Sequence, residues 1–316
     1  MKTREIKYLK PEDFQDAWKF WLSELSIIPN KVYVDKVEKQ KYGSLIHLYF
    51  DSVNNTKVHA RLYKNDQAIK DGRPLVVVFH GAGSKVSDDY NIVNCLNWVK
   101  NGFSAIMMDC RNQGGLTIDN NEYFLMGHLY QCRGLLDKDT FYDKLLYQDA
   151  TKLLLITRDE KLEPFSDLHD KEIIVNGPSQ GGQLSLAAAS LSDIPSLCIP
   201  DIPSGCAIVS RIEERRGKYT PYDDYIKGNP KLKDLIYQNV SYADIINLAE
   251  NIKCPVYASV GTADEICPME YFLVAYDNIK VSKEVIYYEG YGHGGYEDIH
   301  FPKKLQFVLD YLKNKH

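Results

Sequence analysis

The stretch GPSQGG, residues 177–182, places Ser179 between glycines where an apolar strand pattern gives way to a small-residue helix pattern. It fits the G-x-S-x-G nucleophile elbow, a sharp strand-to-helix turn that lifts a serine hydroxyl above the sheet. Glycines suit the flanking positions because strand and helix approach each other too closely there for side chains. A glycine-rich turn with an incidental serine gives the same short pattern. The strand before it and the helix after it favour a nucleophile.

A serine hydroxyl is a weak nucleophile at neutral pH, so it needs a base that is itself oriented by an acid. In proteins built around this elbow the chain order is serine, acid, histidine, each after a successive strand. Asp264 follows the apolar run PVYASVG, and His293 follows the run EVIYYEG. The order predicts a catalytic triad of Ser179, Asp264 and His293, which would transfer an acyl group through an acyl-enzyme.

Other residues compete for the roles of acid and base. Glu265 is adjacent to Asp264, which we favour because it has the shorter side chain and the earlier position in the loop. His300 and His316 also follow Asp264, but His300 leads into the last helix and His316 is the final residue. His293 lies in a glycine-rich loop directly after a strand. A histidine base predicts that activity falls below about pH 6.

The tetrahedral intermediate of acyl transfer also needs an oxyanion hole. One donor is predicted to be the backbone N–H of Gln180, the residue after the nucleophile. The second is predicted to be the backbone N–H of Ala82, in the loop after the run PLVVVFHG. Arg111 and Gln113 follow the next strand; we favour a structural role for both over substrate binding, because such side chains commonly hold neighbouring loops together.

Short apolar runs separated by helix-length stretches define the elements that must position these residues. The runs are PLVVVFHG, FSAIMMDCR, EIIVNG, SLCIPD, PVYASVG and EVIYYEG. They are typical of parallel strands buried on both faces, with functional residues at the carboxyl ends. Residues 32–63 alternate as antiparallel edge strands do. The pattern predicts an α/β fold with a mostly parallel central sheet flanked by helices.

We expect a single domain over residues 1–316 with two helical additions. Residues 1–30 are predicted to be a helical N-terminal extension, because aromatic residues recur there at helical spacing. Residues from about 205 to 252 are predicted to form a helical insertion or cap before the acid-bearing strand. That stretch is longer than an ordinary crossover connection.

Composition excludes several classes of function. The formal net charge of −5 and hydrophobic fraction of 44% indicate a globular protein without a basic surface for nucleic acid or anionic membrane. The N-terminal segment has no signal-peptide core, and no apolar run is long enough for a membrane helix, which predicts a cytoplasmic location. Seven widely spaced cysteines lack metal-ligand spacing, so we expect reduced thiols and no metal.

Many segments resemble the acetyl xylan esterase/cephalosporin-C deacetylase family. They are KPEDFQDAWKFWLSEL, FHG, DCRNQGG, CRGLLD with FYDKLLYQDA, GPSQGG, SYADIINLAENIKCPVYASVGTADEICP, VAYDN and YGHGG. The resemblance covers nearly the whole chain. It implies an α/β-hydrolase fold, release of acetate from small acetylated sugars or cephalosporins, no cofactor and a homo-oligomer, often a ring-shaped hexamer. It also implies the triad Ser179, Asp264 and His293.

The sequence departs from that family's pattern at four positions. Asn112 and Pro178 stand where the family has glycine, Gly294 stands where it has glutamate, and Ala82 stands where it usually has tyrosine. The last change removes a ring that would line the pocket but leaves backbone donation intact. Two other functions remain open: another small-ester hydrolase or acyltransferase on the same fold, and a binding protein without catalytic activity.

Overall fold

The structure is a computed structural model, and it describes residues 5–121 and 129–315. Residues 1–4 of the predicted extension and His316 lie outside the described residues. Nine strands are described. They are β1 (Val32–Gln40), β2 (Gly43–Asp51), β3 (Lys57–Asn65), β4 (Leu75–Val78), β5 (Ser104–Met108), β6 (Ile173–Pro178), β7 (Pro195–Asp201), β8 (Val256–Gly261) and β9 (Lys283–Tyr288).

The nine strands form one sheet in the order β1-β2-β3-β5-β4-β6-β7-β8-β9. Strands β1 to β3 pair antiparallel at one edge, and β3 is antiparallel to β5. From β5 to β9 all neighbours are parallel. The predicted mostly parallel sheet with antiparallel edge strands is therefore confirmed. Because parallel strands end at the same edge, the loops after β4, β6, β8 and β9 converge there.

Helices flank this sheet, and eleven α-helices are described. They are α1 (Phe14–Ile27), α2 (Asp66–Lys70), α3 (Asp89–Lys100), α4 (Tyr142–Thr157), α5 (Gln180–Leu191), α6 (Ile208–Glu213), α7 (Thr220–Gly228), α8 (Lys233–Ser241), α9 (Ile245–Leu248), α10 (Met269–Asn278) and α11 (Glu297–Lys315). None of these helices combines the length and the apolar character needed to cross a membrane.

Two apolar clusters lie on opposite faces of the sheet. Val77 of β4 belongs to the larger cluster, together with residues of α1, α4 and α5. Val76 and Val78 belong to the other, with Trp98 of α3 and Val308 of α11. Successive side chains of a strand point to opposite faces, so a strand covered on both sides needs a continuous apolar run.

Helix α1 and the helices between β7 and β8 pack against each other. Trp18 Nε1 donates a hydrogen bond to the carbonyl oxygen of Tyr242 at 2.9 Å. The ring of Trp21 packs edge-on against that of Tyr242, with centroids 5.3 Å apart. Helices α6 to α9 fall within the segment 205–252 that the sequence assigns to a helical insertion, and they precede β8, the strand before Asp264.

Candidate active site

Ser179 lies in the turn between β6 and α5, with a backbone φ of 57° and ψ of −115°. A non-glycine residue rarely adopts this positive φ, and such strain persists only where the surroundings enforce it. The Ser179 N–H donates to the carbonyl oxygen of Asp201 at 2.9 Å, and the Ser179 carbonyl accepts the N–H groups of Gln183 and Ser204, both at 3.0 Å. The half-buried serine therefore has the backbone geometry of a nucleophile elbow.

The glycines beside Ser179 are required by close packing against the end of β4. A Cβ at Gly181 would lie 2.0 Å from the carbonyl oxygen of Phe79, and a Cβ at Gly177 would lie 2.4 Å from the same atom. The obstructing atom belongs to the backbone, so no side-chain rotation relieves the clash. The two glycines thus let the elbow sit directly against the strand that carries the predicted oxyanion loop.

Asp264 and His293 meet across the loops that follow β8 and β9. Nδ1 of His293 and Oδ2 of Asp264 are 2.7 Å apart. Oδ1 of Asp264 accepts the backbone N–H groups of Ile266 and Cys267, both at 2.8 Å. Burial alone would raise the pKa of Asp264, but the bonds from His293 and the backbone hold that pKa below its ordinary value. The carboxylate is therefore ionised at neutral pH and orients the imidazole.

Cys267 contacts both the serine and the histidine, and sequence reasoning did not single it out. Its Sγ is 4.0 Å from Oγ of Ser179 and lies within 4.8 Å of a ring nitrogen of His293. The hydrogen bonds among the described residues include none between Ser179 and His293, and a triad role would require one to form when substrate binds. The one signal in the sequence was the position of Cys267, three residues after the predicted acid.

Arg211 of α6 connects the helical insertion to Cys267 and to the loop after β8. Its Nη2 lies 3.6 Å from Sγ of Cys267 and donates to the carbonyl oxygen of Ile266 at 2.6 Å, while Nη1 donates to Oγ of Ser204 at 3.0 Å. Burial alone would raise the pKa of the Cys267 thiol, but the charge of Arg211 and the nearby His293 hold that pKa below its ordinary value. The insertion is thereby fixed to both the elbow and the acid loop.

The protonation state of His293 should make the rate of ester hydrolysis depend on pH. Burial alone would lower the pKa of His293, but its hydrogen bond with Asp264 and the nearby Cys267 thiol raise that pKa to about 10. Only the neutral imidazole accepts the serine proton, so kcat/KM should be low in acid and rise with pH. We expect the midpoint of this rise to lie above the ordinary histidine value of 6.5, rather than near pH 6 as the sequence alone predicts.

A pH–rate profile of ester hydrolysis measures that midpoint. Cys267→Ala removes the nearby thiol that helps to raise the pKa of His293, and it should move the midpoint to lower pH. Cys95→Ala removes a buried thiol in α3, outside the contacts described above, and should leave the midpoint unchanged. A wild-type midpoint at or below 6.5 would contradict the stabilised imidazolium.

The two predicted oxyanion donors lie on loops that contact each other. Gln180 is the first residue of α5, and an N–H in the first helical turn has no intrahelical acceptor. Ala82 lies in the exposed turn after β4, where a Cβ at neighbouring Gly81 would be 3.9 Å from the carbonyl oxygen of Pro178. Within residues 5–121 and 129–315, neither N–H donates to an acceptor. Their role in an oxyanion hole stays a prediction.

Arg111 and Gln113 hold neighbouring segments together, which is the structural role favoured from the sequence. Arg111 is fully buried, and its Nε and Nη2 donate to the carboxylate of Asp149 at 2.6 and 2.7 Å. Gln113 Oε1 accepts the N–H of Gly83 at 2.8 Å, and its Nε2 donates to the side chain of Gln180 at 3.0 Å. Gln113 thus joins the two loops that carry the predicted oxyanion donors.

Known proteins share this arrangement of fold and motifs. The profile of the acetyl xylan esterase (AXE1) family matches residues 1–311. The chain belongs to the acetyl xylan esterase family. The predicted family is therefore confirmed.

Two solved structures of acetyl xylan esterases resemble the chain over most of their length. The esterase from Paenibacillus sp. R4 has a TM-score of 0.85 and 26% identity, covering 96% of both chains. Acetyl xylan esterase 1 from Thermoanaerobacterium sp. JW/SL YS485 has a TM-score of 0.82 and 28% identity, covering 96% of this chain and 95% of the other. With the observed sheet, these similarities confirm the predicted α/β-hydrolase fold.

One relative of this chain is a longer protein. Acetyl esterase Axe7A of Xylanibacter ruminicola is 26% identical over 284 residues, which is 87% of this chain. The chain spans 61% of the length of that relative.

Proposed function

We propose that this protein is a serine carboxylesterase that removes acetyl groups from small acetylated carbohydrates such as xylo-oligosaccharides. The observation that carries the proposal is the 2.7 Å pair of Asp264 and His293 at the sheet edge where Ser179 occupies its strained turn. A carboxylate-oriented imidazole near an elbow serine is the arrangement that activates a hydroxyl for acyl transfer. Membership of the acetyl xylan esterase family supports an acetyl ester as the bond cleaved.

The proposed reaction proceeds in two acyl-transfer steps. Oγ of Ser179 attacks the ester carbonyl as His293 takes its proton, and the N–H groups of Gln180 and Ala82 hold the oxyanion. His293 then gives the proton to the departing sugar hydroxyl, which leaves an acetylated serine. Water, activated by the same histidine, releases acetate and restores Ser179. Asp264 keeps the imidazole in the required tautomer throughout.

Acetate release tests the proposal. The chain should liberate acetate from p-nitrophenyl acetate and from acetylated xylo-oligosaccharides, and the same assay measures deacetylation of cephalosporin C. Absence of hydrolysis with every ester would contradict the proposal and favour a binding protein. Transfer of acetyl to an added sugar, in place of acetate release, would assign the same triad to an acyltransferase.

Acyl-chain length provides a test of the substrate class that does not depend on the triad. Tyr130 stands beside the loop of Ala82, because its hydroxyl lies 3.7 Å from the position that a Cβ at Gly83 would take. Its ring packs on that of Tyr142 with centroids 5.4 Å apart. We infer that this ring limits the acyl pocket in place of the tyrosine that the family has at position 82.

We therefore expect kcat/KM for acetyl esters to exceed that for butyryl esters by about 10- to 100-fold, because forcing extra methylenes into a filled pocket costs about 1–3 kcal/mol. A series of p-nitrophenyl esters from acetyl to octanoyl measures this ratio. Tyr130→Ala should raise the relative rate with butyryl esters, and Tyr225→Ala, on α7, should leave it unchanged. A wild-type maximum at butyryl or longer would contradict an acetyl-sized pocket.

Oligomeric state and cellular location stay predictions. We propose a homo-oligomer, with the hexamer implied by the family resemblance as the expected form, and a cytoplasmic location. Size-exclusion chromatography with light scattering measures the first, and a single-chain mass would contradict it.

A further inference from the structure

Three side chains of the proposed active site bring atoms that can bind a metal close together. Asp264, Cys267 and His293 each offer one ligand atom, and these atoms all lie within 4.8 Å of one another. The residues come from the loops after β8 and β9, so no local Cys/His spacing in the sequence indicates this group. The sequence-based expectation of no metal rested on the absence of such spacing.

We propose that Zn²⁺ binds reversibly at this cluster and inhibits the esterase. The inference rests on the proposed function, because it assigns a regulation to the same site. Zinc prefers thiolate, imidazole and carboxylate ligands in tetrahedral sites. Cys267 supplies the sulfur, and His293 supplies the ring nitrogen that is not engaged by Asp264.

In the proposed site Asp264 orients the histidine and is not itself bound to zinc, because both of its carboxylate oxygens are already hydrogen-bonded. Its Oδ1 already accepts two backbone N–H groups, and its Oδ2 is paired with Nδ1 of His293. A carboxylate bonded to one ring nitrogen while the other binds zinc is a common arrangement in zinc proteins. The pair that orients the base for catalysis is therefore also suited to orient a zinc ligand.

Ser179 completes the proposed site. Oγ of Ser179 is 4.0 Å from Sγ of Cys267. A tetrahedral zinc with ordinary bond lengths places sulfur and oxygen ligands about 3.5 Å apart, so a small rotation of the serine side chain brings Oγ into position. A cation held there occupies the base and covers the nucleophile, which blocks both groups that the proposed reaction needs.

The charges around the cluster accommodate a cation. The Asp264 carboxylate is negative and a zinc-bound Cys267 thiolate would add a second negative charge, while Arg211, whose Nη2 is 3.6 Å from Sγ of Cys267, is positive. Arg211 favours the thiolate form that zinc requires, and the metal-bound thiolate and the Asp264 carboxylate together balance the two positive charges of zinc. Zinc binds the deprotonated thiol and the neutral imidazole, so binding releases to solvent any protons that these two groups carry.

Zinc titration of three proteins tests the site. A chelator first removes metal from three proteins: wild type, Cys267→Ala and Cys95→Ala. Hydrolysis of p-nitrophenyl acetate is then measured as zinc is added, relative to each protein's own metal-free rate. The half-inhibitory zinc concentration should rise about tenfold or more in Cys267→Ala and stay at the wild-type value in Cys95→Ala. A chelator should restore wild-type activity. Equal zinc sensitivity in wild type and Cys267→Ala would overturn the proposal.

Cobalt binding tests the same site without turnover. Co²⁺ added to metal-free wild type should produce thiolate-to-cobalt absorption in the near ultraviolet, which Cys95→Ala keeps and Cys267→Ala loses. Because this spectrum needs no hydrolysis, it decides the metal site even if the protein is not an esterase. Cobalt binding without thiolate absorption would overturn the zinc site and leave the proposed function intact.

Discussion

Replacing Ser179 with alanine should lower kcat for acetyl ester hydrolysis by about 10³-fold or more while leaving the fold intact. Turnover should be lost because the hydroxyl of the half-buried Ser179 is the proposed nucleophile. Its Oγ contributes only the 4.0 Å contact with Cys267 to packing and hydrogen bonding among the described residues. Steady-state kinetics with p-nitrophenyl acetate measures the loss, and circular dichroism verifies the fold.

Ser190→Ala, on the helix α5 that follows Ser179, provides the matched control. Ser190 is partly buried, and its hydroxyl donates to the carbonyl oxygen of Leu186 at 2.7 Å, so the substitution also removes a serine hydroxyl from α5. This variant should keep hydrolysis close to that of wild type. Hydrolysis by Ser179→Ala at a rate near that of wild type would show that the elbow serine is not the nucleophile.

Asp264→Asn should slow turnover by about 10⁴-fold, whereas Glu265→Gln should change it little. Oδ2 of Asp264 is 2.7 Å from Nδ1 of His293, while the Glu265 side chain is exposed. An amide at position 264 disfavours the imidazole tautomer that leaves a nitrogen free to accept the serine proton.

Kinetics of the two variants under identical conditions distinguish the neighbouring acids. A large loss in Glu265→Gln together with near-normal turnover in Asp264→Asn would move the acid to Glu265. The hydrogen bonds from Ile266 and Cys267 to Oδ1 give Asp264 a fixed orientation, which is why we expect the asymmetry.

The sheet was predictable because its strands carry a local signal. A strand buried on both faces needs a continuous apolar run, and the six runs identified in the sequence became β4 to β9, although β9 lies at the sheet edge and is only partly buried. The order of the strands within the sheet could not be predicted from these local patterns. Strand β5 lies outside β4, between β4 and β3, because pairing partners are chosen by packing across long sequence separations.

The site was predictable where chain order and strand ends constrain it. Ser179, Asp264 and His293 each follow a strand of the parallel sheet, and the last two are brought into contact by the convergence of strand ends. Cys267 and Arg211 were missed, because their contact joins the insertion to the acid loop and has no signature in local sequence.

One departure from the family pattern has a conformational explanation. Asn112 stands where the family has glycine, and its backbone φ is 53°. Asparagine tolerates this left-handed region better than most residues because its short polar side chain bonds locally. The substitution therefore preserves the turn that presents Arg111 and Gln113.

The serine nucleophile is tested most directly by reaction with a p-nitrophenyl phosphonate ester, which leaves a stable phosphonyl group on the attacking atom. Peptide mapping by mass spectrometry then identifies the labelled residue. We expect one phosphonyl group per chain, on Ser179, with a parallel loss of acetyl ester hydrolysis. Labelling of Cys267, whose Sγ lies 4.0 Å from Oγ of Ser179, or full activity without a label on Ser179, would contradict a serine nucleophile at the elbow.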